Sequence, residues 1–139
     1  MIAWLLDTGP LVAYLDASDP AHDAVVAVAD PFVGRLVTTS AVVTEAMHLV
    51  GGAGSGPRLL ADLLVAWDVQ VYDFSEPVGL VAAVELMERY ANLPMDFADA
   101  TLVLLAEAAD ALDVLTLDRR GFAVYRTRRG RALRLVLER

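Results

Sequence analysis

Short strand-like runs alternate with helical stretches along the whole chain, and that alternation leaves few folds open. Residues 2–6, 35–39, 69–74 and 114–117 read as strands. The first is a continuous apolar run of the kind buried on both faces of a central strand. Thr8-Gly9-Pro10 reads as a turn into a short helix over 11–15. A second helix runs from a cap at Ser18-Asp19-Pro20 to about residue 29. Further helices are expected over 41–50 behind Ser40, from Pro57 to about 67, over 76–90, and from Asp96 to about 111. In the last of these Phe97, Thr101, Leu105, Ala108 and Leu112 recur at helical spacing. A final strand is expected in 132–137. Parallel strands need crossovers, so this order implies a three-layer α/β/α sandwich around a central, mainly parallel sheet. No repeat, linker or low-complexity segment divides residues 1–139, so a single domain is expected.

Composition removes several classes of function. With 57 % hydrophobic and 22 % charged residues, the 139-residue chain has the makings of a real core. It has no cysteine, which excludes disulfides, thiolate zinc and a cysteine nucleophile. No basic segment precedes an apolar one at the N-terminus, and no run approaches the roughly 18 apolar residues of a membrane span. A cytoplasmic protein with no membrane partner is the expectation. Net charge is −8, unevenly placed: residues 1–118 carry three arginines against eighteen acids, residues 119–139 eight arginines against one acid. Guanidinium groups grip phosphate bidentately, so Arg119, Arg120, Arg126, Arg128 and Arg129 are candidate nucleic-acid contacts. A solvated C-terminal strand, or a strip that pairs with an acidic partner, would use the same residues.

Four acids stand where packing gains nothing from them. Asp7 and Asp118 follow strand runs, Glu45 lies mid-way along an apolar helix, and Asp99 falls in the first turn of another. In an open parallel sheet, ligands bind beyond the carboxyl ends of the strands, where these acids would gather. Two carboxylates about 4 Å apart repel by roughly 4 kcal/mol at an effective dielectric of about 20. A hard divalent cation such as Mg²⁺ or Mn²⁺ removes that penalty, and without it the acids should have raised pKa values. Each acid also has a purely structural reading: a turn cap for Asp7 and Asp118, a solvated face for Glu45, dipole compensation for Asp99. Asp96 is placed to be the N-cap of its helix. No covalent nucleophile is backed by His22 or His48, which leaves water as the attacking group in a metal-assisted hydrolysis.

Three rival motifs fail on context. Glu45-x-x-His48 suits a di-iron bundle only if a second such pair exists, and none does. The glycines of 51–56 lack the strand and the Lys-Ser/Thr of a phosphate loop. Asp7-Thr8-Gly9 matches the aspartic-protease triplet, but a retropepsin-like protease would be all-β.

The motifs Leu5-Leu6-Asp7-Thr8-Gly9-Pro10, Thr39-Ser40 with Thr44-Glu45, Met95-Asp96-Phe97-Ala98-Asp99-Ala100, and Leu115-Thr116-Leu117-Asp118-Arg119-Arg120-Gly121-Phe122 occur in this order over essentially the whole chain. In that order the chain resembles the PIN-domain family, especially the VapC-like toxins of bacterial toxin–antitoxin pairs. The resemblance implies a PIN-like α/β/α fold and an endoribonuclease dependent on one or two Mg²⁺ or Mn²⁺ ions. It also implies a homodimer and a small antitoxin protein as partner. Asp7, Glu45, Asp99 and Asp118 would then be catalytic, metal-binding acids, with Asp96 an additional one. Thr8 and Thr116 sit where a hydroxyl orients a carboxylate. Gly121 departs from the family, where many relatives carry another acid. A catalytically silent binding module of the same fold remains the alternative.

Overall fold

The computed structural model describes residues 1–52 and 54–138. Among these residues, five parallel strands form one sheet, β1 (Ala3–Leu6), β2 (Arg35–Thr39), β3 (Gln70–Tyr72), β4 (Asp113–Leu115) and β5 (Arg134–Leu135), in the order β3-β2-β1-β4-β5. The helices are α1 (Thr8–Leu15), α2 (His22–Ala29), α3 (Ser40–Val50), α4 (Gly56–Ala66), α5 (Pro77–Arg89), α6 (Phe97–Ala108) and α7 (Arg119–Phe122). This is the expected three-layer architecture with a central parallel sheet, and its seven helices rule out the all-β protease.

Sheet order follows from burial. Trp4, Leu5 and Leu6 have no polar face to offer, so β1 takes the middle, with Leu5 level with Val37 of β2 and with Val114 of β4. The chain steps outward from β1 through β2 to β3, then crosses back to β4 and β5. Right-handed crossovers therefore place α1–α4 on one face and α5 and α6 on the other. The packing agrees: α1 lies against α2, α3 and α4, and α5 against α6. The direction of stepping reverses between β1 and β4, which makes their carboxyl ends the topological switch point of the sheet.

The boundaries differ from expectation where a side chain claims backbone. Helix α1 begins at Thr8 because the Asp7 carboxylate accepts from Thr8 N at 2.8 Å, turning an expected turn into a capped helix. Thr39, not Ser40, caps α3, accepting from Val42 N at 3.3 Å. The second helix starts only at His22. Strand β4 ends at Leu115, so Asp118 stands beyond it rather than at its last residue. There it caps the unforeseen α7 by accepting from Gly121 N at 3.0 Å. The tail strand shrinks to Arg134–Leu135, beside β4, and a 3₁₀ turn over Val136–Glu138 follows.

Candidate active site

Four elements deliver acids to the switch point. Asp7 leaves β1 while its backbone N–H still donates to Leu115 O at 3.0 Å, so the β1–β4 ladder itself sets its position. One Asp7 oxygen accepts from Thr8 N, and the other from Thr116 Oγ1 at 2.6 Å. Thr116 Oγ1 in turn accepts from Asp118 N at 2.9 Å. A single buried hydroxyl thus ties the acid after β1 to the acid after β4. On α6, Asp96 and Asp99 form a reciprocal capping box: Asp99 N donates to Asp96 Oδ1 at 2.8 Å, and Asp96 N to Asp99 Oδ2 at 3.1 Å.

Glu45 comes from α3, and the register of α3 against α6 is set by residues that the sequence reading did not single out as functional. Thr39 Oγ1 and Thr101 Oγ1 share a hydrogen bond of 2.8 Å, both fully buried. Thr38 Oγ1 donates to Leu6 O at 2.7 Å and pins β2 to the end of β1. The signal for these was a run of threonines at a strand end before a helix. That signal places a cap but cannot reveal a partner sixty residues away.

Asp7, Glu45, Asp96, Asp99 and Asp118 line one cleft of about 420 Å³, together with Thr8, Gly9, Leu49 and Leu117. Burial pushes the Asp7 carboxyl above the ordinary carboxylate range; the Thr116 and Thr8 donors pull it part of the way back, and the charges of Asp96 and Asp118 add to the rise. Glu45 is raised by burial and then by the charges of Asp96 and Asp7, against a favourable contribution from the Thr8 hydroxyl. Asp99 is raised to about 8, first by burial and then by the charge of Asp96. Tyr125, buried behind α7, has its phenol pushed up by burial and by Asp99, Asp118, Asp96 and Asp7. A Cβ on Gly121 would lie 2.5 Å from Asp118 Oδ2 and 2.8 Å from the Tyr125 hydroxyl, so the bare backbone at this position lets both approach.

Every ligating atom in the cleft is a hard oxygen. Among the described residues no three His, Cys, Asp or Glu side chains converge into a ready-made cation cage, since Asp96 and Asp99 are turned onto each other's backbone. Mg²⁺ asks for less, usually keeping several waters and taking one or two carboxylates plus a substrate phosphate. Thr8 Oγ1 is buried without a well-formed hydrogen bond, a polar atom at the cleft that would be satisfied by a further oxygen-rich occupant. The donor set therefore fits a hydrated divalent cation.

The five candidate arginines part company. Arg119 and Arg120 are exposed in α7 directly after Asp118. Arg126 folds back onto the carbonyls of Ala123, Val124 and Tyr125. Arg128 and Arg129 pair with Glu107 at 3.3 and 3.4 Å. Glu107 lies at the far end of α6, about 12 Å along the helix from Asp99 at 1.5 Å per residue.

The chain is 32 % identical over 126 residues to Ribonuclease VapC26 of Mycobacterium tuberculosis, an alignment that spans 88 % of this chain and 91 % of that protein. No family model matches it. Its fold superposes on the crystal structure of M. tuberculosis VapC20, described as a sarcin-ricin loop cleaving toxin, with a TM-score of 0.75 at 17 % identity, over 84 % of this chain and 90 % of that one. It also superposes on VapBC2 of Rickettsia felis bound to a DNA fragment from its promoter, with a TM-score of 0.62 at 17 % identity, over 96 % and 97 % of the two chains.

Proposed function

We propose that this chain, which belongs to the VapC-like PIN-domain family, is a divalent-metal-dependent endoribonuclease and the toxin of a toxin–antitoxin pair. The observation that carries the reading is that five carboxylates line one cleft at the switch point of the sheet, three of them held above the ordinary carboxylate range. Clustering of like charges in a cleft is a poor use of a folded chain unless a cation and a polyanionic substrate meet there.

In this reading Asp7, Glu45, Asp99 and Asp118 hold Mg²⁺ or Mn²⁺, and Asp96 orients Asp99 through the capping box. Bound there, the ion supplies charge neutralisation at the phosphate and a more acidic water. The chain does the rest. Thr116 holds Asp7 in one rotamer and fixes the Asp118 backbone with the same oxygen. Arg119 and Arg120 offer positive charge to flanking phosphates beside a cleft that would otherwise repel them. The relatives' names support the activity, one being called a ribonuclease and another a sarcin-ricin loop cleaving toxin. The toxin–antitoxin assembly among the structural neighbours supports a small antitoxin as partner.

Asp99→Asn tests the reading, because it keeps the shape of the side chain and removes its charge. With Mn²⁺ and single-stranded RNA, wild-type protein cleaves, and the variant loses at least about 100-fold, the upper end of what an outer-shell partner of a metal site costs. Millimolar Mn²⁺ raises the melting temperature of the wild type and does little for the variant. Equal cleavage by both proteins would leave a binding module of this fold as the better description.

A further inference from the structure

We propose that the pocket adjoining the acidic cleft is a nucleobase subsite, which seats one unpaired, amino-bearing base of the RNA against the ring of Phe97. The inference deepens the ribonuclease reading and rests on it. The pocket, about 620 Å³, is built from three places: one stripe of α3, the first turn of α6, and Ser75 in the segment that leads from β3 to α5. Glu45 and Asp96 line both this pocket and the cleft, so the two are contiguous. A strand whose scissile phosphate lies over the acids therefore has its neighbouring nucleotide here. Asp118 lines the cleft and is followed directly by the exposed Arg119 and Arg120, past β4, which gives the strand a path along the carboxyl edge of the sheet.

Charge decides which part of the nucleotide enters. Among the described residues no lysine or arginine lines the pocket and two carboxylates do, which disfavours a phosphate relative to an uncharged base. Phe97 is half-buried and supplies a flat apolar ring, the usual platform for an unstacked base.

The hydroxyls decide which base. Ser40 and Ser75 both donate to Asp73, at 2.8 and 2.6 Å, and Thr44 donates to Ser40 O at 2.9 Å. Their protons are spent, and what they present to a ligand is lone pairs. Among the described side chains, they form with Glu45 and Asp96 a wall of acceptors, beside which His48 and the first backbone N–H groups of α3 and α6 are the donors. Such a wall pairs with the exocyclic amino groups of guanine, adenine or cytosine. It leaves the two carbonyls of uracil facing acceptors.

The experiment compares wild type, Phe97→Ala, Phe97→Leu and His48→Ala on a pool of short single-stranded RNAs with randomised sequence, in Mn²⁺, with cut sites read by sequencing and KM and kcat measured on one preferred substrate. The expected result is depletion of uracil at one nucleotide next to the cut by the wild type. Phe97→Ala raises KM by about tenfold, with a smaller change in kcat, and relaxes that bias. Phe97→Leu keeps apolar volume and so the fold, yet shows the same loss, and His48→Ala alters the bias without moving the melting temperature. Wild-type KM and bias in both Phe97 variants would remove the subsite while leaving the ribonuclease standing; this includes the case in which those variants lose only the grip of a protein partner. Absence of RNA cleavage by the wild type itself would remove the ribonuclease reading and the subsite with it.

Discussion

The Thr116 hydroxyl is the smallest part of this molecule with the largest reach, because it donates to Asp7 and accepts from Asp118 N at once. Thr116→Val keeps the shape and removes both bonds. We expect a 10- to 100-fold loss of RNA cleavage, the range for an outer-shell partner, read against melting curves to separate it from unfolding. Asp99 makes a second prediction at this scale. Its carboxyl titrates near 8 in the folded chain and at 3.8 in the unfolded one. Folding thus favours the protonated form, so the contribution is complete below the unfolded value and is lost as pH rises through the folded one. In EDTA the melting temperature should fall between pH 5 and pH 8, and Asp99→Asn should flatten that fall. Mn²⁺ should restore stability at the alkaline end, where the carboxyl is ready to give up its proton. Asp7, Asp99 and Asp118 could be singled out from sequence because strand ends and a helix start in a parallel sheet bring acids to one edge, although each of the three also caps backbone in the structure. Tyr125 could not, since nothing near it in sequence announces that its hydroxyl faces acids brought from three other elements.

At the scale of elements, the pairing of α3 with α6 decides whether Glu45 reaches the other acids. That pairing runs through the buried Thr39–Thr101 hydrogen bond. Replacing either threonine by valine leaves the other hydroxyl without this partner, at a cost of about 1–3 kcal/mol. The double variant should cost less than the two single variants together, because no hydroxyl is then stranded and the remaining loss is the cap on Val42 N. Chemical denaturation of the four proteins reads this directly. Element types were readable from periodicity: the expected helices over 41–50, 57–67 and 76–90 all exist, shifted by a residue or so at their ends. The misreadings cluster where a side chain competes for backbone. Asp7 draws α1 back to Thr8, Asp118 creates α7, and β4 stops at Leu115 because Thr116 and Asp118 turn toward the cleft.

For the whole molecule, the separation of charge along the sequence is largely undone by folding. Among the described residues, four of the C-terminal arginines pair with acids of the body, Arg128 and Arg129 with Glu107, Arg131 with Asp110, and Arg134 with Asp113. One expectation for the strip is an acidic partner; along its middle the acids it meets belong to the same chain. Arg119 and Arg120 are exposed directly after Asp118, an acid of the cleft. Arg119→Ala and Arg120→Ala should each weaken RNA binding and reduce the salt slope by about 0.7, the single-strand value per phosphate contact. Arg128→Ala and Arg129→Ala should leave both unchanged. Fluorescence anisotropy over a salt series separates the two groups. Among the described residues no helix is long and apolar enough to cross a membrane.

The alternation of strand and helix determined the layer order, because a chain that returns parallel to itself must cross over a face each time. The continuous apolar run at β1 determined which strand would be central. Which acids share a cleft, which arginines are free, and which hydroxyls hold α3 to α6 were decided only in three dimensions. Those are contacts between residues far apart in the chain, and local propensity carries no information about them. The switch point between β1 and β4 joins the two levels: strand order is a tertiary fact, and it puts Asp7 and Asp118 on either end of one threonine hydroxyl.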